Sequence, residues 1–296
     1  MNRTVAVLGP GAVGGGLAVR LSMAGVQTIC VAHPEAAGII ALAGLVVETK
    51  EGTLTARMEA VERLTKPVGL LLVTVKAPML DEALDRVEPD AVGDGIVVPL
   101  LNGIEHMDVL RGRFDGRVAA GTVSHYQAYR AGRVQIVEAT DSPLVTIASA
   151  TIPRTQLEAA ADLLRQARID VRVGQDENRT LWHKLARIAP LAAASTASGK
   201  TVGELRDDPQ WRPRLEAAVA ETCEIAQSEG VGLRPAAQWA IIDELADETR
   251  PSAARDVAAG RRSELDAIVG AVLRVAERNG VACPALTELA GAAGLQ

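Results

Sequence analysis

Apolar residues in the first half of the chain form short continuous runs, separated by segments in which they recur every three or four positions. Runs such as GLLLVTV at 69–75 and IVVPLL at 96–101 are typical of parallel strands that are covered on both faces. The segments between the runs have the period of amphipathic helices. The predicted strands are Thr4–Leu8, Gln27–Ala32, Val68–Val75, Gly95–Leu100 and Val118–Val123, and the predicted helices are Ala12–Ala24, Pro34–Ala43, Met79–Val87 and His106–Gly112.

The pattern changes twice further along the chain. Polar and apolar residues alternate over 132–147, which predicts a more exposed strand pair at the edge of the sheet. A helix and a strand then close this half, at Arg154–Ala167 and Ile169–Val173. Beyond them the patterns are helical, at Asp176–Ala194, Asp208–Glu229, Ala236–Glu248 and Ser252–Asn279. We therefore expect an α/β domain over residues 1–175 and an all-helical domain over residues 176–296.

A glycine-rich turn connects the first predicted strand to the first predicted helix. Its sequence is Gly9-Pro10-Gly11-Ala12-Val13-Gly14, a G-x-G-x-x-G motif in the strand–turn–helix context that dinucleotide binding requires. The first glycine would allow the tight turn, the second would admit a pyrophosphate, and the third would let helix and strand pack closely. The N–H groups at the helix start would then meet the phosphates. An ordinary glycine-rich turn is the alternative, but the context favours a Rossmann-type dinucleotide-binding domain.

The end of the second predicted strand bears on which dinucleotide is bound. NAD-binding proteins usually place Asp or Glu about 20 residues after the glycines, where it holds the ribose 2′-hydroxyl. Here the strand ends in His33-Pro34, so no carboxylate repels a 2′-phosphate, and a protonated His33 would attract it. A solvated loop histidine is the alternative. We expect NADP(H) to be preferred modestly over NAD(H).

Composition narrows the classes of function. Apolar residues make up 48% of the 296 positions but Phe, Trp and Tyr only 2%, so the core should be aliphatic. The net charge of −6 gives no electrostatic reason to bind nucleic acid. The three cysteines have no spacing typical of a metal site or a disulfide. With neither a signal-peptide pattern nor an apolar run of about 18 residues, we expect a soluble, cytoplasmic protein without a metal; its apolar helical half could support a homodimer.

Two polar residues follow strands of the predicted sheet. Lys76 comes directly after GLLLVTV, and Asn102 directly after IVVPLL. Ligands of open α/β sheets bind beyond the carboxyl ends of the strands, so both are candidate contacts of a cofactor or substrate. A surface lysine at a strand end and an Asn-Gly turn are the alternatives.

Motifs in order along nearly the whole chain resemble those of the ketopantoate reductase (2-dehydropantoate 2-reductase) family. They are GPGAVGG from Gly9, TVKA around Lys76, LLNG around Asn102, GTVSH at Gly121–His125, LWHKL around Lys184, SAARDVAAGRRSELD at Ser252–Asp266 and NGVACPALTEL near the C-terminus. The resemblance implies a 6-phosphogluconate-dehydrogenase-like fold, with a Rossmann NADP-binding domain followed by an all-helical substrate domain and catalysis in the cleft between them.

The resemblance also implies roles for single residues. Lys184 matches the lysine that protonates the carbonyl oxygen as hydride reaches the ketone carbon, since an alkoxide would otherwise form. Glu264 matches a glutamate near that lysine and the cofactor, and Ser252 a serine that hydrogen-bonds the substrate. Asn102 matches the asparagine at the nicotinamide and substrate, and Lys76 the lysine on the cofactor side. From the residues alone, Lys184 lies on an apolar helix stripe where burial would lower its pKa. An ordinary boundary lysine, a helix N-cap at Ser252 and a solvated charge at Glu264 are the alternatives.

The chain departs from the family pattern at the expected substrate contacts. The family has an asparagine four residues after the lysine and another before a Pro-Leu pair, whereas this chain has Ile188 and Ala189. Pro190 comes about three residues early, which predicts a deletion or a shifted kink in this helix. Two missing amides remove hydrogen bonds of about 1 kcal/mol each, so a less polar substrate is favoured. The family's basic residue for the 2′-phosphate is matched by His33.

These observations predict an NADP(H)-dependent oxidoreductase that reduces a 2-oxo acid, with ketopantoate as the leading substrate and pantoate as its product. A paralogous reductase of another, less polar ketone or imine is the first alternative. A protein that senses NADP without turnover is the second. The presence of Lys184, Ser252 and Glu264 argues against a sensor, which needs no proton donor.

Overall fold

The computed structural model describes residues 2–140 and 143–295. The strands are β1 (Val5–Leu8), β2 (Thr28–Val31), β3 (Leu45–Thr49), β4 (Gly52–Ala56), β5 (Glu59–Val61), β6 (Leu70–Val73), β7 (Ile96–Pro99), β8 (Ala120–Ser124), β9 (Ala128–Arg130), β10 (Gln135–Glu138), β11 (Leu144–Ala148) and β12 (Asp170–Gly174). The helices are α1 (Ala12–Met23), α2 (Pro34–Ala43), α3 (Leu80–Leu84), α4 (His106–Phe114), α5 (Arg154–Gln166), α6 (Glu177–Ser198), α7 (Val202–Asp207), α8 (Trp211–Ser228), α9 (Pro235–Asp243), α10 (Ser252–Ala258), α11 (Ala271–Asn279) and α12 (Pro284–Ala292).

The chain divides into two compact units. The first contains the residues up to Leu101 and His106–Thr180, and the second contains Asn102–Glu105 and the residues from Leu181 onward. The first unit is α/β and the second is helical, which confirms the predicted fold class. The short segment Asn102–Glu105 therefore belongs with the helices, although it follows a strand of the α/β unit directly.

A parallel sheet forms the centre of the α/β unit. Its strands lie in the order β5-β2-β1-β6-β7, and neighbouring strands pair in parallel. The residues of β1, β2, β6 and β7 are all buried, as their continuous apolar runs predict. The chain runs outward from β1 to β2 and returns on the other side to β6. The order of strands thus reverses at β1, and such a switch point is where open α/β sheets bind ligands.

The predicted edge pair over 132–147 is wrong. β10 and β11 belong to different sheets, one in the order β4-β3-β10-β9 and the other in the order β12-β11-β8. β10 pairs in parallel with β3, which is distant in sequence, and antiparallel with β9. The alternation of polar and apolar residues identifies strands with one exposed face, but it does not identify their partners.

Helices of the second unit enclose an aliphatic core around Trp182, which is 2% exposed. The helix predicted over 252–279 is not continuous: α10 ends before Gly260, whose φ is +63°. A left-handed glycine is a common helix stop. A π-helical turn at Asp266–Gly270 then leads into α11. By contrast, α6 continues through Pro190 without a break, so the expected deletion or shifted kink does not interrupt it.

Candidate functional site

The glycine loop after β1 has a geometry that fits a pyrophosphate. Gly9 has a φ of +83°, which only glycine adopts freely. A Cβ atom added at Gly11 would meet only the Gly9 carbonyl oxygen, at 3.9 Å, so this side of the loop faces open space. A Cβ atom added at Gly14 would overlap the side chain of Thr74 and lie 2.7 Å from the Gly9 carbonyl oxygen. The three glycines thus provide a turn, an open approach and a close helix–strand contact, which a dinucleotide-binding loop needs.

Thr74, which follows β6, fixes the loop from the neighbouring strand. Its hydroxyl lies 3.0 Å from the carbonyl oxygen of Leu8 and 2.8 Å from that of Gly9, and the two carbonyls share its single donor hydrogen. Its backbone N–H also donates to Leu8, at 2.9 Å. Lys76 comes two residues later, at the N-cap position of a 3₁₀ turn at Ala77–Met79, so it follows the carboxyl end of β6, the strand that pairs with β1 at the switch point. Sequence reasoning missed Thr74; the signal was a hydroxyl residue at the end of an otherwise apolar run.

At the end of β2, His33 contacts an arginine that sequence reasoning also missed. Arg86 Nη2 lies 2.7 Å from His33 Nδ1. A guanidinium can only donate hydrogen bonds, so the imidazole nitrogen accepts here, and the fixed positive charge belongs to Arg86. Two carboxylates lie near this arginine, Glu82 at 3.6 Å and Glu62 at 3.7 Å. The Arg86 side chain is 16% exposed, whereas those of Glu82 and Glu62 are 59% and 55% exposed.

A hydrogen-bonded chain of three polar side chains lies in the helical unit. Lys184 Nζ on α6 donates to Asn102 Oδ1 at 2.8 Å, and Asn102 Nδ2 donates to Glu264 Oε2 at 3.3 Å. Glu264 is 7% exposed, so the solvated helix charge of the alternative interpretation does not describe it. The structure therefore brings together three residues that are far apart in sequence.

The pKa of Lys184 is lowered to about 8: burial is the largest cause and lowers it, the Glu264 carboxylate raises it, and nearby Arg187 lowers it. A lysine with this pKa gives up its proton more readily than one in water. It remains mostly protonated at neutral pH, as a general acid must be. The amide between lysine and carboxylate holds the ammonium group in position.

The backbone explains why Asn102 reaches this site. Gly103 has a φ of +92°, and a Cβ atom added to it would overlap the carbonyl oxygen of Ala267. The turn thus packs directly on the π-helical turn that follows Glu264. Such turns are rare and are frequent at functional sites.

The remaining candidates lie apart from this chain of hydrogen bonds. Ser252 is exposed and is the first residue of α10, whose N-cap is Pro251, so the N-cap interpretation of Ser252 is off by one residue. Ala189 is fully buried in the helical core and cannot line an accessible substrate site, contrary to our expectation. Ile188 is only partly buried, and it lies one helical turn after Lys184.

Sequence comparison decides the family. The profile of ketopantoate reductase PanE/ApbA matches residues 5–150, and that of its C-terminal domain matches residues 176–295. The chain belongs to the ketopantoate reductase family. It is accordingly an oxidoreductase that acts on a ketone/alcohol pair.

Members of the ketopantoate reductase family and other proteins of the same fold resemble the chain over nearly its full length. A 2-dehydropantoate 2-reductase of Caulobacter vibrioides is 29% identical over 290 residues, covering 95% of each chain. The structure of a ketopantoate reductase of the PanE/ApbA family from Ralstonia eutropha has a TM-score of 0.88 at 26% identity, covering 98% of this chain and 97% of that one. A D-mandelate dehydrogenase, solved with NADH and anilino(oxo)acetate, has a TM-score of 0.87 at 20% identity, with coverage of 98% and 97%.

Other kinds of site find no support in the described residues. Over residues 2–140 and 143–295, no three His, Cys, Asp or Glu side chains are grouped so as to hold a metal ion. In the same part of the chain, no helix combines the length and apolar character needed to cross a bilayer.

Proposed function

We propose that this chain reduces a 2-oxo acid to the 2-hydroxy acid, with Lys184 as the proton donor and ketopantoate as the leading substrate. The hydrogen-bonded chain from Lys184 through Asn102 to Glu264 carries the proposal. When bound, a nicotinamide dinucleotide would supply hydride to the carbonyl carbon. Lys184 then has to neutralise the negative charge that grows on the carbonyl oxygen, and a proton held at low pKa beside that oxygen does so.

Glu264 and Asn102 have positioning roles in this proposal. The carboxylate keeps Lys184 charged in a buried setting, since its attraction opposes the effect of desolvation on the lysine pKa. The Asn102 amide holds the ammonium in one direction and separates it from the carboxylate. A direct Lys–Glu ion pair would instead hold the proton too tightly to give it up. Ser252 remains a candidate substrate contact through the family resemblance.

For the cofactor we propose NADP(H), bound at the glycine loop with Lys76 on its phosphate side. In this proposal His33 and Arg86, near the end of β2, would meet the 2′-phosphate, because the strand ends without the carboxylate usual in NAD-binding proteins. Glu82 and Glu62 offset part of the Arg86 charge, so the preference over NAD(H) is modest. Arg86→Gln should weaken NADPH binding about tenfold, the order of one charge-assisted hydrogen bond, and leave NADH binding unchanged. Fluorescence titration measures both affinities.

A less polar 2-oxo acid is the second candidate substrate. Ile188, one turn from Lys184, is an apolar side chain where the family pattern has an asparagine. The D-mandelate dehydrogenase of similar fold was solved with the aromatic oxo acid derivative anilino(oxo)acetate. Both observations support testing an aromatic 2-oxo acid beside ketopantoate.

The test is the loss of NADPH absorbance with ketopantoate and with phenylglyoxylate, for the wild type and Lys184→Ala. We expect turnover of at least one acid, and a loss of about 10²–10⁴-fold in kcat for the variant, the usual contribution of a general acid. NADPH affinity should hardly change. Equal rates for the two proteins would contradict the role of Lys184, and unchanged NADPH absorbance with both acids would contradict 2-oxo acid reduction.

A further inference from the structure

Arg187, three residues after Lys184 on α6, has no role in the function proposed above. Its side chain is partly buried, and burial lowers its pKa. Its hydrogen-bonding neighbours carry no negative charge: Nη1 donates to the backbone carbonyl of His183 and lies 3.4 Å from both His183 Nδ1 and Gln238 Oε1. Within residues 2–140 and 143–295, no carboxylate forms an ion pair with this guanidinium.

This environment is costly for a cation. Removing a guanidinium from water is unfavourable unless an opposite charge compensates for it. Gln238 is 1% exposed and offers only an amide dipole. Other arginines of this unit, such as Arg274 and Arg278, pair with carboxylates. Arg187 is therefore a partly buried cation for which no carboxylate among the described residues supplies the counter-charge.

The position of Arg187 fits one ligand group in particular. Residues three apart on a helix are neighbours, with Cβ atoms about 5–6 Å apart, so the Arg187 and Lys184 side chains leave the helix side by side. In a 2-oxo acid the carboxylate carbon is bonded directly to the carbonyl carbon. A substrate whose carbonyl oxygen meets Lys184 therefore carries its negative charge into the neighbourhood of Arg187.

We infer that Arg187 binds the carboxylate of the substrate and selects 2-oxo acids over uncharged ketones. This rests on the function proposed above and adds to it the group that recognises the acid. A guanidinium suits the task, because its planar fork matches a carboxylate with two parallel hydrogen bonds. Arg187 would hold the acid end while the adjacent Ile188 contacts the substituent. The chain would thus recognise acids without the amides that the family pattern has at positions 188 and 189.

Binding of an acid and of its neutral ester tests the inference directly. Phenylglyoxylate, its methyl ester and ketopantoate are titrated calorimetrically into the protein saturated with oxidised cofactor, so that no reduction occurs. The proteins are the wild type, Arg187→Gln, Arg187→Lys and Arg278→Gln, a control that makes the same change at an exposed position. Arg187→Gln should weaken binding of the acids about 10–100-fold, the order of a charge-assisted pair, and leave the ester within twofold. Arg187→Lys should lie between, and Arg278→Gln should match the wild type.

Each result has a separate meaning. Equal losses for acid and ester, unchanged acid affinity in Arg187→Gln, or no acid binding by the wild type would overturn the inference. If Arg187→Gln is unfolded by circular dichroism, Arg187→Lys decides on the same criterion of acid against ester. If an acid binds in an Arg187-dependent way but is not reduced when NADPH is supplied, the proposed reduction fails and the inference about Arg187 stands.

Discussion

The pH dependence of ketone reduction should report the ionisation of Lys184. Moving its pKa from 10.5 to about 8 corresponds to about 3 kcal/mol of differential destabilisation of the charged form. The pKa is lower in the folded protein, so above pH 8 the folded enzyme has lost the proton that reduction consumes. We expect kcat/KM for reduction to be level below pH 8 and to fall about tenfold per pH unit above it. Oxidation of the 2-hydroxy acid needs the deprotonated lysine and should rise through the same pH.

Glu264→Gln separates the effect of the carboxylate from that of burial. An amide and two hydrogen bonds separate the two charges by roughly 7 Å, for which Coulomb's law at an effective dielectric constant near 20 gives about 2 kcal/mol, or between one and two pKa units. Because the carboxylate raises the lysine pKa, the break in the profile should move down to between about pH 6 and 7. The glutamine oxygen can still accept the hydrogen bond from Asn102.

The assay is NADPH oxidation at constant ionic strength from pH 5.5 to 10. Glu277→Gln, which removes the same charge from an exposed position of α11, is the matched control and should keep the wild-type break. A wild-type profile without a break near pH 8, or a break in Glu264→Gln that stays or moves upward, would refute this account of Lys184.

Four further substitutions test the α/β unit. The methyl group of Gly11→Ala would face open space, so this change should leave the melting temperature unchanged and weaken NADPH binding by tenfold or more. The methyl group of Gly14→Ala would meet Thr74, so this change should lower both the melting temperature and the NADPH affinity. Equal effects of the two changes in calorimetry and in NADPH titration would contradict these roles. Thr74→Val should cost about 1–2 kcal/mol in urea unfolding, since it removes the hydroxyl bonded to the loop carbonyls, and a neutral result would mean that the hydroxyl is not needed. Glu138→Ala should cost about 3–5 kcal/mol in the same assay, because it breaks the buried ion pair with Arg20 by removing one partner; a loss below 1 kcal/mol would contradict this.

The parts of the fold and of the site that the sequence predicts correctly are those that depend on patterns among neighbouring residues. The strand–glycine–helix order at Gly9–Gly14 and the polar residues after apolar runs, Lys76 and Asn102, depend only on neighbours in sequence. Parallel strands place their carboxyl ends at one edge, so short-range patterns were enough to locate these residues. The stop of α10 at Gly260 was also visible in principle, but helical periodicity on both sides of it concealed the break.

The parts that were missed depend on contacts between distant segments. Arg86 is a candidate cofactor contact because its guanidinium reaches His33. The helical pattern between positions 79 and 87 does not predict that contact. Arg187 looks like any polar residue of an amphipathic helix until the structure shows that no carboxylate of the described residues forms an ion pair with it. The partner of β10 was likewise undetermined, since a strand with one exposed face can pair with any compatible edge.

The segment Asn102–Glu105 has a consequence for cutting and recombining this protein. The helical unit consists of two separate stretches of the chain, because these residues belong with those from Leu181 onward. A fragment that begins at Leu181 would lack Asn102, the amide that joins Lys184 to Glu264, and Gly103, which packs on Ala267. A chimaera that exchanges substrate specificity between relatives therefore needs two crossovers around residues 102–105 as well as one near residue 180. The helical unit that carries the proposed proton donor is thus encoded by two separate segments of the gene.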